Sequence, residues 1–367
     1  MNIPVYNTFI HPDAGKYVQD VVESTFLSEG KLVKDFESRL RFDFKIENPV
    51  AVNSGTSALH LALVLAGIGE NDEIILPAQT FVASGLVILQ QKAKPVFADI
   101  DYHTGNISPE AIERKITART KAIMPVHWGG YPCDMDAIQR IADKHNLIVI
   151  EDAAHALGAR YKGKTIGGLS DFTCFSFQAI KHLTTGDGGA IACKDDRMYK
   201  NAIIRRWFGI DRDNATPSFL GERQYSIQDV GFKYHLNDYA AALGLANMQG
   251  FKERMKERVQ HASRYTAGLK NIPGISLFSY REDCQSAYWL YGFHVERRED
   301  FIRALKERGV IASVIHQRID RNEVFGGLKN DLTEQARFDA TQIHIPIHDA
   351  MTDEKVEHVI ESIRRGW

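Results

Sequence analysis

The chain has 367 residues, 44% hydrophobic and 25% charged, a balance that excludes a disordered or fibrous protein. At about 150 residues per domain this length predicts two or three domains. The 45 basic and 47 acidic residues leave a net charge of −2, which argues against nucleic-acid binding through bulk charge. No apolar run approaches the ~20 residues that span a bilayer. The opening MNIPVYNTFIHPD lacks the basic and apolar regions of a secretion signal. Cys133, Cys174, Cys193 and Cys284 are widely spaced without a CxxC pair, which predicts neither a disulfide framework nor a zinc site. The expectation is a soluble cytoplasmic α/β enzyme with no membrane and no nucleic-acid partner.

Apolar runs predict strands at Pro49–Asn53, Glu73–Leu76, Pro95–Asp99, Ala122–Val126, Leu147–Glu151, Thr173–Ser176 and Gly189–Cys193. Between them, helices are expected at Ser57–Ala66, Ser84–Gln91, Ser108–Ile116 and Met135–His145. This alternation reads as a mostly parallel sheet flanked by helices, in which ligands sit at the carboxyl ends of the strands. Asn237–Val259 reads as one long helix. Beyond it, strands at Ile275–Tyr280, Trp289–Val295 and Ala312–His316 and helices at Arg298–Arg308 and Thr352–Arg364 suggest a smaller unit. The expected division is a large domain, 1–259, and a small C-terminal α/β domain, 260–367.

Three segments carry chemistry. Asn53-Ser54-Gly55-Thr56-Ser57 ends a strand and opens a helix, where free backbone N–H groups favour a phosphate. No GK[ST] follows, so it is not a Walker A loop. The strand Leu147–Glu151 delivers Asp152, with His155 three residues on. Phe175–Ala190 (FSFQAIKHLTTGDGGA) places Lys181 in a run with no other formal charge until Asp187, where burial would free its amine to form a Schiff base. Each has a plainer reading: a helix N-cap, a cap beside a core histidine, a lysine snorkelling at a strand end. Together they supply what pyridoxal 5′-phosphate (PLP) requires: a phosphate cradle, a carboxylate for the ring nitrogen and a lysine for the aldehyde. A nicotinamide dehydrogenase is disfavoured, since no GxGxxG follows the first strand.

SGTSALHLAL (54–63), DEIILPAQTFVAS (72–84), IEDAAHALGARYKGK (150–164), FSFQAIKHLTTGDGGA (175–190), GFKYHLNDYAAALGLANM (231–248) and SAYWLYGF (286–293) together resemble the DegT/DnrJ/EryC1/StrS sugar aminotransferases. That resemblance implies a fold type I architecture, PLP as cofactor, and a homodimer with shared active sites. It implies that Lys181 is the Schiff-base lysine, Asp152 the partner of the pyridine nitrogen, and Phe81 the aromatic stacked on the ring. Gly55, Thr56 and Ser176 would bind the phosphate. His155 stands where most members carry Gln beside the phenolic oxygen, and Lys233 where many carry an Asn that reaches the neighbouring subunit's phosphate. The expected reaction moves an amino group, from L-glutamate, to a nucleotide-linked 4-keto-deoxysugar by a ping-pong mechanism, in surface polysaccharide (lipopolysaccharide) or aminosugar biosynthesis. Alternatives are a non-nucleotide keto-sugar, or the dehydratase branch, in which His replaces the lysine; here Lys181 is present with His182 beside it. The segments 205–212 and 316–321 depart from common family patterns. They make Trp207, His316 and Arg318 candidates for the substrate side.

Overall fold

The structure is a computed structural model and describes residues 2–367. Its centre is a seven-stranded sheet in the order Pro49–Val52, Gly189–Cys193, Phe172–Ser176, Ile148–Asp152, Thr120–Ile123, Glu73–Pro77, Lys94–Ala98. Gly189–Cys193 runs antiparallel to both its neighbours, and the remaining pairs are parallel. The seven strands expected for this sheet therefore all exist, with ends moved by at most three residues. Three of them are buried along their whole length, because helices cover both faces of the sheet; this is why they read as continuous apolar runs. Two apolar clusters form, one built around Phe36, Phe175, Phe177 and Ile138, the other around Leu61, Leu76, Ile150 and Ile191.

Three of the connecting helices start on side-chain caps. Ser54 accepts from the Ser57 amide, Ser108 from Ala111 (with Pro109 in the first turn), and Asp134 from Ala137. The helix Gly55–Leu65 starts two residues earlier than its apolar periodicity suggests, and Met135–His145 is as predicted. Helices Ala14–Ser24, Lys31–Phe42, Asp196–Arg205 and Thr333–Thr341 escaped the sequence pattern. Lys31–Phe42 is capped from a distance: the Asp238 carboxylate accepts from Gly30 N–H (2.9 Å) and Val33 N–H (3.1 Å). A Cβ on Gly30 would lie 2.6 Å from that carboxylate and would push the cap aside.

Two expectations are corrected. The single helix over 237–259 is two, Asp238–Asn247 and Phe251–Leu269, divided at Gly250, whose φ of 66° no helix accepts. The Arg254 guanidinium closes the break by donating to the carbonyls of Asn247 (2.7 Å) and Gln249 (2.6 Å). Ala312–His316 is not a strand; it is extended and held by an isolated bridge, Ser313 to His344. The small sheet is instead Ile275–Leu277, Tyr291–Val295 and Gln342–Ile345, all antiparallel. Its core gathers Phe293, Phe301, Tyr265 and Ile360, and also Ile3, which pairs with Val310. The N-terminus thus packs with the C-terminal unit, and the helix Phe251–Leu269 runs unbroken through residue 259.

Candidate active site

The carboxyl ends of the parallel strands and the start of Gly189–Cys193 lie on one edge of the sheet. Gly189 pairs with Val52 on one side and Ser176 on the other. A Cβ at Gly189 would meet the Ser54 carbonyl at 2.5 Å, and one at Gly55 would meet Ser176 Cβ at 2.9 Å. Glycine at both positions lets the Ser54–Thr56 turn, Ser176 and the Gly-rich turn close on one another. Among the described residues the amides of Gly55 and Thr56 have no acceptor within the chain, and Thr56 is exposed. Free amides at a helix N-terminus beside two hydroxyls fit a phosphate.

Asp152 closes the neighbouring strand. One carboxylate oxygen accepts from Ser84 Oγ (2.8 Å), the other from the Ala154 amide (3.1 Å). Ser84 has one proton to give and Asp152 takes it, so the 2.7 Å contact between Thr80 and Ser84 is donated by Thr80. Burial pushes the Asp152 pKa up, opposed by these hydrogen bonds and by the charge of Lys181. No salt bridge reaches this buried carboxylate among the described residues, and the protonated nitrogen of a pyridine ring suits it.

Lys181 follows a tight turn in which its amide donates to Gln178 O (2.9 Å). Its Nζ lies 3.7 Å from the centre of the Trp289 ring. Burial pushes its pKa down to about 7, against the pull of Asp152. A large share of the amine is therefore unprotonated near neutral pH, the state that attacks an aldehyde. His155 stacks on the same indole (3.7 Å, 15° between planes), and its Nδ1 is buried without a partner. Burial and the charge of Lys181 hold this imidazole well below its usual range, so it is neutral. Phe81 caps the helix Val82–Gln90, is 53% exposed and touches His316 at 5.2 Å, which leaves ring surface free for stacking. The orphaned His155 nitrogen, the unpaired Asp152, the open Phe81 face and the free amides at Gly55 and Thr56 all fit PLP.

The substrate-side candidates separate. His316 joins the site: its ring lies about 6 Å from those of His155, Trp128 and Trp289. Its pKa is pushed down to about 4, chiefly by burial. Its carbonyl accepts from Gln79 and Gln342, both at 3.2 Å, one side chain from each unit of the chain. Arg318 does not join: its guanidinium is bound bidentately to buried Asp320 (2.7 and 2.6 Å), so the expected substrate arginine is an internal ion pair. Trp207 pairs with Lys233, whose Nζ lies 4.5 Å from the Trp207 ring, with Arg212 on the same ring at 4.8 Å. Among the described residues, no hydrogen bond or ring contact joins this cluster to Lys181, Asp152 or His155. Ser84, Thr80 and Trp289 escaped sequence reasoning. The first two sit at Phe81 −1 and +3, around the start of a helix that follows a strand end, and that spacing was the available signal.

Comparison with known proteins agrees with this geometry. Residues 9–364 match the DegT/DnrJ/EryC1/StrS aminotransferase family. The GDP-perosamine synthase of Escherichia coli O157:H7 is 31% identical over 371 residues, covering 100% of this chain and 98% of that protein. The crystal structure of the sugar aminotransferase CalS13 from Micromonospora echinospora superposes with a TM-score of 0.95 at 31% identity, covering 100% of both chains. Spr1654 of Streptococcus pneumoniae, solved in PLP and PMP forms, gives a TM-score of 0.92 in both at 29% identity, covering 98% of that protein and 99% or more of this chain. The chain belongs to the DegT/DnrJ/EryC1/StrS aminotransferase family, with the fold type I architecture, and is a PLP-dependent sugar aminotransferase.

Proposed function

We propose that the protein transfers an amino group from L-glutamate to the keto carbon of a nucleotide-linked 4-keto-deoxysugar by a ping-pong mechanism, in surface polysaccharide or aminosugar biosynthesis. The observation that carries the transamination chemistry is the placement, at one sheet edge, of a lysine amine lowered to about 7 and a buried carboxylate that makes no salt bridge among the described residues. Similarity to GDP-perosamine synthase supports the nucleotide-linked sugar. When bound, PLP supplies an electron sink for the carbon that loses or gains a proton. Lys181 holds the aldehyde and, once released, carries that proton as a general base and acid. Asp152, oriented by Ser84 and Ala154, keeps the ring nitrogen protonated. Neutral His155 hydrogen-bonds the phenolic oxygen, Phe81 stacks on the ring, and Gly55, Thr56 and Ser176 hold the phosphate.

In this reading residues 1–259 form the cofactor-binding domain and 260–367 the domain that covers the substrate side, with His316 presenting a neutral imidazole to the sugar. Lys233 serves a second copy of the chain, giving a homodimer with shared sites in the cytoplasm. The absence of a salt bridge to its ammonium among the described residues, and its seat on Trp207, support that role. His182 does not take the lysine's place: its Nε2 donates to Ala287 O (2.9 Å) inside the core, which favours transamination over dehydration.

The test is a two-step assay. L-glutamate alone should release one 2-oxoglutarate per site, and nucleotide-linked keto-sugars added afterwards should restore the cofactor's absorbance near roughly 400–430 nm. Loss of water from the sugar without 2-oxoglutarate release would overturn the proposal.

A further inference from the structure

We propose that Trp289 is a positioning residue for His155: its indole, pinned beside Lys181, fixes the plane of the imidazole and through it the hydrogen bond to the cofactor's phenolic oxygen. The inference rests on the reading of the site as a PLP site.

Trp289 belongs to the loop 286–290, which enters from the smaller sheet and wedges against two turns of the large one. Ala287 N–H donates to Gly130 O (2.9 Å) and Leu290 N–H to Gly129 O (3.1 Å). Gly130 has a φ of 98°, and a Cβ there would meet His155 O at 2.8 Å and the Trp289 amide at 3.1 Å. Glycine at 130 therefore lets this loop lie directly against the His155 turn. The indole is 2% exposed and its Nε1–H donates to Ile180 O (2.9 Å), the carbonyl just before Lys181. One edge of the ring is thus tied to the lysine turn, and the Lys181 Nζ sits 3.7 Å from its centre.

His155 has no such tether of its own. No hydrogen bond to either ring nitrogen forms among the described residues, and Nδ1 is buried. What fixes the imidazole is packing: 3.7 Å and 15° from the indole, with Trp128 edge-on at 5.7 Å. A neutral imidazole rotates about its two side-chain torsions unless something flat opposes it. Tyr6 lies against the same indole at 5.6 Å, so Trp289 is itself held in a stack. An aromatic stack of this kind changes an equilibrium about threefold to tenfold.

The experiment is a double-mutant cycle in the holoenzyme, after borohydride reduction and peptide mapping have located the cofactor. The variants are Trp289→Leu, His155→Ala and their combination, with Trp289→Phe as the conservative change that keeps a ring if the leucine variant fails to fold. The readouts are the absorbance maximum of bound PLP across pH and the rate of cofactor loss on dilution. Trp289→Leu should move the band in the same direction as His155→Ala and speed cofactor loss about threefold to tenfold, with Trp289→Phe between it and the parent. In the His155→Ala background it should add less than about twofold, because residues acting as a unit are not additive. Full additivity, or a band in Trp289→Leu that stays at the parent position, overturns the inference while leaving the PLP site intact; so does Trp289→Phe shifting the band as far as His155→Ala, should the leucine variant fail to fold. A label on a lysine other than Lys181 overturns the site reading itself, and this inference with it.

Discussion

The sheet edge that carries Asp152 and Lys181 and the segment 207–233 treat their side chains in opposite ways. At the sheet edge, Thr80, Ser84 and Asp152 are buried and hydrogen-bonded within one chain. In the segment, Leu220 is 84% and Val230 75% exposed, and the strand pairing is a hairpin of two residue pairs, Thr216–Pro217 with Arg223–Gln224. One region completes itself from contiguous motifs; the other leaves apolar surface exposed and seats the Lys233 ammonium on Trp207 with no salt bridge among the described residues. The contrast teaches that the ring-binding half of the site can be tested on the single chain, whereas the proposed contribution of Lys233 needs the second copy.

The first way to break the comparison is Lys181→Ala. It should lower transamination by about 10²–10⁴-fold or more, measured as 2-oxoglutarate release, with the fold retained by circular dichroism. Next is Arg318→Ala. If this arginine is structural, its loss strands the buried Asp320 carboxylate and costs about 3–5 kcal/mol in denaturant unfolding. A stable variant with a raised KM for the sugar would instead return Arg318 to the substrate side. Ser84→Ala removes a hydrogen bond to a carboxylate, worth about 1.5–3 kcal/mol. It should push the Asp152 pKa further up and weaken cofactor binding; Ser84→Thr should restore it.

A pH series sharpens the same contrast. Burial holds His182 and His344 near about 3, and His294, His316 and His348 near about 4. In the unfolded chain they titrate near about 6.5. Between about pH 6.5 and about pH 4 the unfolded state therefore binds more protons, so these groups make stability fall as pH falls through that window. A urea midpoint that stays level there contradicts the burial assigned to them. The smallest effect is expected from Leu220→Ser, whose side chain is largely exposed: stability should stay within about 0.5 kcal/mol. If the segment is a homodimer contact, sedimentation should show weakened self-association; unchanged association places the contact elsewhere.

Much of the sheet was legible because strands buried on both faces are uniformly apolar and are separated by capped helices; Ser54, Ser108 and Asp134 mark three of those starts. The helix break at Gly250 was not, since AAALGLANMQ and the segment after it share one continuous helical pattern and a lone glycine does not announce a left-handed residue. Ala312–His316 has a strand's composition but pairs through a single bridge, and the carbonyl at its end, that of His316, accepts from Gln79 and Gln342 side chains instead of a strand. In the site, Lys181, Asp152 and Gly55 stood out because each lies in a short local motif. Trp289 could not, since its neighbours His155 and Lys181 are more than 100 positions away in the chain and meet it only through the fold. Arg318 misled because an arginine two residues before an aspartate gives no sign of whether the pair is buried.

The central claim is that one amine at the sheet edge carries the cofactor. Borohydride reduction of the purified protein, followed by peptide mass mapping, tests it most directly. The account predicts a reduced phosphopyridoxyl group on Lys181 and none in Lys181→Ala. The same label on any other lysine, or its persistence in that variant, would contradict it.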